Sequence, residues 1–357
     1  MSRYAIPRVQ TLTPYTANPN VYPVKLDANE SVYPIDDALR QKVAQALLED
    51  GLNIYPDPMA EQLCRAYEQL MGLPAGRTAA GNGSDELIHV IQQCYLDAGD
   101  TLLCFGPDFS MYRFYAEVLG ARVEEVMKGE DLCLTPQMVK QAYDRVQPQM
   151  ICFSNPCNPT GQGMSREEIR QIVEQCPCMI VVDEAYMDFW NQSVMDLVDQ
   201  YDNLIVLRTC SKAFALAGIR LGFAVAEPSI IQDIQKVKSP YNVSVLTQIA
   251  GQVCLENAQY MKEDVERLMQ ERDWFQQKAM ELAAEFPGLL QAYASHANFV
   301  LFSSPKAQAI TQALLEEGIC IRVYGGPRFR VTVGTHEQMQ QILCILRSVL
   351  QQERSAQ

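Results

Sequence analysis

Lys212 follows two hydroxyl residues, Thr209 and Ser211, and runs into a stretch of small and apolar residues, Ala213-Phe214-Ala215-Leu216-Ala217-Gly218-Ile219, that ends on Arg220. A lysine held in such company loses solvation, favours its neutral form and becomes a nucleophile able to condense with an aldehyde. Lys212 therefore reads as the covalent attachment point of a cofactor, with a solvated surface lysine as the bland alternative. Asp183 follows the apolar run Met179-Ile180-Val181-Val182 and precedes Glu184 and Tyr186. Its carboxylate stands at the mouth of a buried strand and needs a cationic partner. A pyridinium nitrogen serves, and so does a nearby arginine.

The elements that must position these groups are visible as short apolar runs. Residues 101–105, 150–153, 179–182 and 204–207 read as strands, with amphipathic segments such as 165–175 between them. Alternation of strand and helix with short connections predicts an α/β protein, with a mostly parallel sheet covered by helices on both faces. Residues 221–225 add an antiparallel strand. Ligands of such sheets gather at the carboxyl ends of the strands, where Lys212 and Asp183 both fall.

Three further strand ends carry polar groups. Asn155-Pro156-Cys157-Asn158-Pro159-Thr160-Gly161 fixes an extended turn that presents amide side chains, so Asn158 and Tyr186 are candidate donors to a phenolic oxygen; a capping turn is the alternative. Gly81-Asn82-Gly83-Ser84-Asp85-Glu86 opens a helical pattern and exposes backbone amides suited to a phosphate, although Ser84 and Asp85 also suit a helix cap. Arg220, Thr209 and Ser211 complete a phosphate clamp on the Lys212 side. Phe109, after Gly106-Pro107-Asp108, can lie flat on a ring or belong to the core. A lysine, a carboxylate, two phenol-oxygen donors, a phosphate loop and an arginine together describe pyridoxal phosphate.

Asn158-Pro159-Thr160-Gly161, Asp183-Glu184-Ala185-Tyr186, Ser211-Lys212-Ala213-Phe214 and Arg220-Leu221-Gly222 stand in the order used by the pyridoxal-phosphate aminotransferases of fold type I, which the chain resembles over nearly its whole length. The resemblance implies that Lys212 is the Schiff-base lysine, Asp183 the partner of the pyridine nitrogen, and Asn158 and Tyr186 the donors to the ring oxygen. It places Gly83, Ser84, Asp85, Thr209, Ser211 and Arg220 around the phosphate and Phe109 on the ring, where close relatives often carry tyrosine. It further implies a homodimer in which Tyr55, in Asn53-Ile54-Tyr55-Pro56, reaches across the interface to the cofactor phosphate.

Leu12-Thr13-Pro14-Tyr15, Leu26-Asp27-Ala28-Asn29-Glu30, Ile54-Tyr55-Pro56-Asp57-Pro58 and Arg328-Phe329-Arg330-Val331-Thr332-Val333-Gly334 look like the histidinol-phosphate aminotransferase subfamily. That likeness implies ping-pong transfer from histidinol phosphate to 2-oxoglutarate, with Tyr15, Asn29, Arg322 and Arg330 at the substrate. The amino donor and the 2-oxo acid are both small molecules. Aromatic amino-acid transamination and threonine-phosphate decarboxylation are the alternatives on the same scaffold. A ligand-sensing domain of a regulator is a further one, disfavoured because the chain has no spare DNA-binding segment.

Size and composition fit this reading. The 357 residues suit a large cofactor domain over 46–240, an arm over 1–45, and a linking helix with a small α+β domain over 241–357, the small domain drawing on both chain ends. Residues 243–285 read as one long helical stretch, and strands are expected at 298–302, 319–323 and 329–333. A net charge of −14 without a basic stripe argues against nucleic acid and anionic membranes. No apolar run approaches signal-peptide or membrane-span length, so a cytoplasmic protein is expected. None of the 12 cysteines forms a CxxC pair, and the 3 histidines are scattered, so no metal is predicted. Cys94, Cys104, Cys152, Cys254, Cys320 and Cys344 are expected in the core.

Overall fold

Alternate residues along the central strands feed two separate cores. Leu103, Phe105, Ile151, Phe153, Ile180 and Val182 pack on one side, and Leu102, Met150, Cys152, Val181 and Ile205 on the other. That division follows from side chains pointing to opposite faces of a sheet with helices on both. The computed structural model describes residues 2–10, 12–13, 20–49 and 52–355.

The strands in chain order are β1 (Val24–Leu26), β2 (Thr78–Asn82), β3 (Thr101–Gly106), β4 (Arg122–Met127), β5 (Met150–Ser154), β6 (Met179–Asp183), β7 (Leu204–Thr209), β8 (Leu221–Val225), β9 (Gln291–Ala292), β10 (Phe299–Ser303), β11 (Ile319–Tyr324) and β12 (Arg328–Thr332). The large sheet has the order β2-β8-β7-β6-β5-β3-β4. Its pairings are parallel except that β8 runs antiparallel to both β2 and β7, as expected for residues 221–225. Ser154 pairs with Asp183, and Thr209 pairs with Gly222, so the carboxyl ends of β5, β6 and β7 deliver their last polar residues to one edge.

The smaller sheet has the order β1-β11-β12-β10-β9 and takes β1 from near the chain's start. In it Arg322 and Arg330 are direct cross-strand partners. The expected strands at 298–302, 319–323 and 329–333 are present within a residue or two as β10, β11 and β12.

Local sequence explains the helix ends. Ser165 and Glu168 form a reciprocal capping box before helix Arg166–Gln175, and Gly120, at φ 84°, ends helix Met111–Leu119. The helical stretch expected over 243–285 is two helices, Val245–Glu256 and Gln259–Glu285. The break falls where the Asn257 side chain donates to the Val253 carbonyl at 2.7 Å, in competition with the helix backbone. Cys104, Cys152, Cys254 and Cys320 are buried as expected, but Cys94 is only partly buried and Cys344 is exposed. Helix His336–Ser355 buries Met339, Ile342, Leu346 and Leu350, a stripe of three- and four-residue steps that Cys344 lies off.

Candidate active site

A cavity of about 640 Å³ opens where the carboxyl ends of the large sheet meet β11 and β12, and its wall includes Lys212, Asp183, Asn158, Tyr186, Arg322 and Arg330. Asn29, Ser84, Asp85, Phe109, Thr209, Ser211 and Arg220 line it as well. Gly83 lies against it through Arg220. Tyr55 is not among its walls. It is 77 % exposed and stacks on Tyr241 with ring centroids 4.5 Å apart, while Tyr15 lies outside the described residues.

The Lys212 Nζ is partly buried and donates to the Ala28 carbonyl at 2.8 Å. Burial and the positive charge of Arg330 lower its pKa to about 8, helped by Arg220 and Lys25 and opposed by Glu30. The amine is thus within reach of its neutral, nucleophilic form near neutral pH.

Asp183 is 4 % exposed and forms no ion pair with any described residue. Its Oδ2 accepts from the Tyr112 hydroxyl at 2.8 Å and its Oδ1 from the Ala185 N–H at 3.0 Å. Burial pushes its pKa up to about 6 against those two donors. The arginine that could have been its partner is elsewhere, because Arg208 is taken by Glu184 at 3.0 Å and by Asp188. A buried carboxylate facing a cavity without a cation suits a ligand that brings one.

The anion end is built from close backbone approach. Gly83 has φ 85°, and a Cβ there would lie 2.6 Å from Arg220 Nη2; a Cβ on Gly222 would lie 2.2 Å from the Ser84 nitrogen. Glycine at both places lets β8 and the Arg220 guanidinium lie against the start of helix Ser84–Tyr95. No side chain caps that helix, which leaves the Ser84 end open to an anion. Arg220 Nη1 donates to Ser211 Oγ at 3.4 Å, and the Ser211 N–H to Thr209 Oγ1 at 3.1 Å. The Asp85 carboxylate accepts from Tyr115 at 2.8 Å, so Asp85 offers an anion its backbone only.

Asn158 Oδ1 accepts from Arg330 Nη1, and Arg330 Nη2 donates to the Asp27 carbonyl at 2.7 Å. With its carbonyl so engaged, the Asn158 amide has its N–H groups left for the cavity. The Tyr186 hydroxyl accepts from Asn29 Nδ2 at 2.8 Å, and burial pushes its pKa up to about 12. Phe109 meets Tyr112 edge to face at 5.6 Å.

Sequence reasoning missed Tyr112, Asp108 and Ser154. Asp108 accepts from the Ser154 N–H at 3.1 Å and from its hydroxyl, and Ser154 Oγ accepts from the Asn158 N–H at 3.1 Å, which fixes the turn that carries Asn158. The signal for Asp108 was its place two residues past a buried strand, beside Phe109.

Known proteins agree with this architecture. The profile of the family described as aminotransferase class I and II matches residues 22–346. A histidinol-phosphate aminotransferase of Clostridium novyi is 35 % identical over 342 residues, 94 % of this chain and 95 % of that one. The histidinol-phosphate aminotransferase 1 of Carboxydothermus hydrogenoformans is 37 % identical over 352 residues, 98 % of this chain and 99 % of that one. Among solved structures, histidinol-phosphate aminotransferase from Sinorhizobium meliloti in complex with pyridoxal-5'-phosphate superposes with a TM-score of 0.86 at 21 % identity, covering 99 % of each chain. A Thermus thermophilus aspartate aminotransferase mutant gives 0.80 at 21 % identity, over 98 % of this chain and 100 % of that one, and at such identities the likeness speaks for the fold. The chain belongs to the class I and II aminotransferases.

Proposed function

We propose that this chain transfers the amino group of histidinol phosphate to 2-oxoglutarate with pyridoxal phosphate as its cofactor. The observation that carries the reading is the pairing of Arg322 with Arg330 across β11 and β12 in the cavity that holds Lys212. Two guanidinium groups at one wall suit a substrate with a phosphate in one half-reaction and dicarboxylates in the other. Relatives of that name at 35–37 % identity over nearly the whole chain support it.

The residues present fit the cofactor. Asp183 is the buried carboxylate in want of a cation, and the Ser84 amide, Thr209, Ser211 and Arg220 form a site for a phosphate. Bound there, pyridoxal phosphate supplies an aldehyde for amino groups and a pyridinium ring that draws off the electrons left when a substrate Cα loses its proton. Lys212 takes that proton in its neutral form and returns it on the other side of the transfer. Asp183, as an anion, would hold the ring nitrogen protonated, Asn158 and Tyr186 would donate to the ring oxygen, and Phe109 would cover the ring face. Tyr55, exposed on its own subunit, suits a homodimer in which it serves the partner's phosphate site. The division that goes with this reading is an arm over 1–45, a cofactor domain over 46–240, and a linking helix with the small domain over 241–357.

Purified protein with cofactor, histidinol phosphate and 2-oxoglutarate is expected to form glutamate and imidazole-acetol phosphate. Absence of glutamate, with phenylalanine accepted instead, would move the assignment to the aromatic amino acids. Arg322→Ala is expected to raise KM for histidinol phosphate about 10- to 100-fold, the worth of a hydrogen bond to a charged group. Steady-state kinetics with both substrates varied check this, and an unchanged KM removes Arg322 from the phosphate.

A further inference from the structure

We propose that Thr332, acting through Asn29, sets the direction in which the Tyr186 hydroxyl gives its proton, and so makes Tyr186 a donor to the cofactor's ring oxygen. The inference rests on the cofactor reading above, which uses Tyr186 but gives no part to Thr332. Thr332 does not line the cavity; it sits on β12 opposite Phe299.

The argument is one of donors and acceptors. A hydroxyl has one proton and two lone pairs, and an amide side chain donates at one end and accepts at the other. Thr332 Oγ1 accepts the Asn29 backbone N–H at 3.1 Å and gives its single proton to Asn29 Oδ1 at 3.0 Å. That fixes which end of the amide is which, and Nδ2 is left facing Tyr186, to which it donates at 2.8 Å. The Tyr186 oxygen is thereby an acceptor toward Asn29, and no described residue takes the Tyr186 proton, which is free for the cavity. With the amide reversed, Tyr186 would spend its proton on Asn29, and the buried Thr332 proton would lose its acceptor.

The rest of the setting holds Asn29 still. Asn29, Thr332 and Asn298 are each 1 % exposed. Asn298 Nδ2 donates to the Asn29 carbonyl at 3.1 Å, and Asn29 stands at φ 55°, a conformation asparagine accepts more readily than most residues. The Tyr186 ring is fixed by Phe299, edge to face at 5.2 Å. The protein thus engages the Asn29 side-chain oxygen and one of its two N–H groups, and Thr332 is a positioning residue.

The test follows the absorbance of the reconstituted holoenzyme against pH. A donor to an anionic oxygen lowers its proton affinity, so losing it raises the midpoint. Thr332→Val removes the hydroxyl without loss of volume and is expected to raise the midpoint by ~0.5–1 pH unit, while Thr332→Ser stays at the wild-type value. In a Tyr186→Phe background, Thr332→Val is expected to add nothing, since no hydroxyl remains to be steered. Asn29→Asp, which can only accept, is expected to raise the midpoint more in the wild type than in Tyr186→Phe, and it stands in if Thr332→Val does not fold. A Thr332→Val midpoint equal to wild type, or a change of the same size with and without the Tyr186 hydroxyl, overturns the proposal. If wild-type protein gives no cofactor absorbance that Lys212→Ala removes, it is the cofactor reading that fails.

Discussion

Lys212→Ala is expected to lower transamination by about ten-thousand-fold or more, the upper range for loss of a positioned acid–base group, and to abolish the absorbance of covalently held cofactor. Both losses follow from the proposed mechanism, in which one amine serves attachment and proton transfer, and no second lysine lines the cavity among the described residues. The wild-type amine has its pKa lowered to about 8, with burial the larger cause and Arg330 the next. Only the neutral amine attacks an aldehyde, so the rate of reconstitution with pyridoxal phosphate should rise about tenfold per pH unit below 8 and level off above it. Arg330→Gln removes a positive charge that holds the amine neutral, and should move that break to higher pH. A Lys212→Ala protein with wild-type turnover would sink the whole assignment.

The parts of this site that were legible in sequence are those that stand next to their own strand in the chain. β3, β5, β6 and β7 are buried on both faces and announce themselves as apolar runs; Asp183 ends β6, and Asn158 and Lys212 follow β5 and β7 within a few residues. β4 escaped notice because it is an edge strand whose Arg122, Glu124 and Glu125 break up the apolar signal. β2 carries Ala79, Ala80 and Gly81, too little side chain to show a pattern. It exists because small residues let it lie close to its neighbours, a Cβ on Gly81 falling 2.5 Å from Leu87. The donors that complete the site were hidden for a different reason. Tyr112 reaches Asp183 across 71 residues and Thr332 reaches Asn29 across 303, and nothing local in either segment marks the contact. The family motifs name the groups proposed to touch the cofactor; the fold alone supplies those that orient them.

Asp183→Asn is expected to lower turnover by about a thousand-fold while making the cofactor-free protein more stable at neutral pH. The loss of activity is the worth of a preorganised charge opposite a ring nitrogen that must stay protonated. The gain in stability follows from the carboxylate having no cation of its own. Burial raises its pKa from an ordinary 3.8 to about 6, so folding favours the protonated form. The group's contribution is present in full below about pH 4 and is lost as pH rises through 6, since the folded state binds the extra proton. A rise of that size corresponds to about 3 kcal/mol. An amide of the same shape keeps the Ala185 N–H bond on its oxygen, turns its N–H toward the Tyr112 oxygen and carries no charge, so it escapes the loss. Urea unfolding of the two cofactor-free proteins should therefore give stabilities that converge below about pH 4, draw apart between pH 4 and 6 and stay apart above, with Asp183→Asn the more stable. Saturating pyridoxal phosphate should narrow or reverse the gap at pH 8, because the pyridinium supplies the cation that the wild-type carboxylate lacks. Equal stabilities of the cofactor-free proteins at pH 8 would mean that Asp183 already has its counter-charge within the fold, and the reason for placing the ring nitrogen there would be gone.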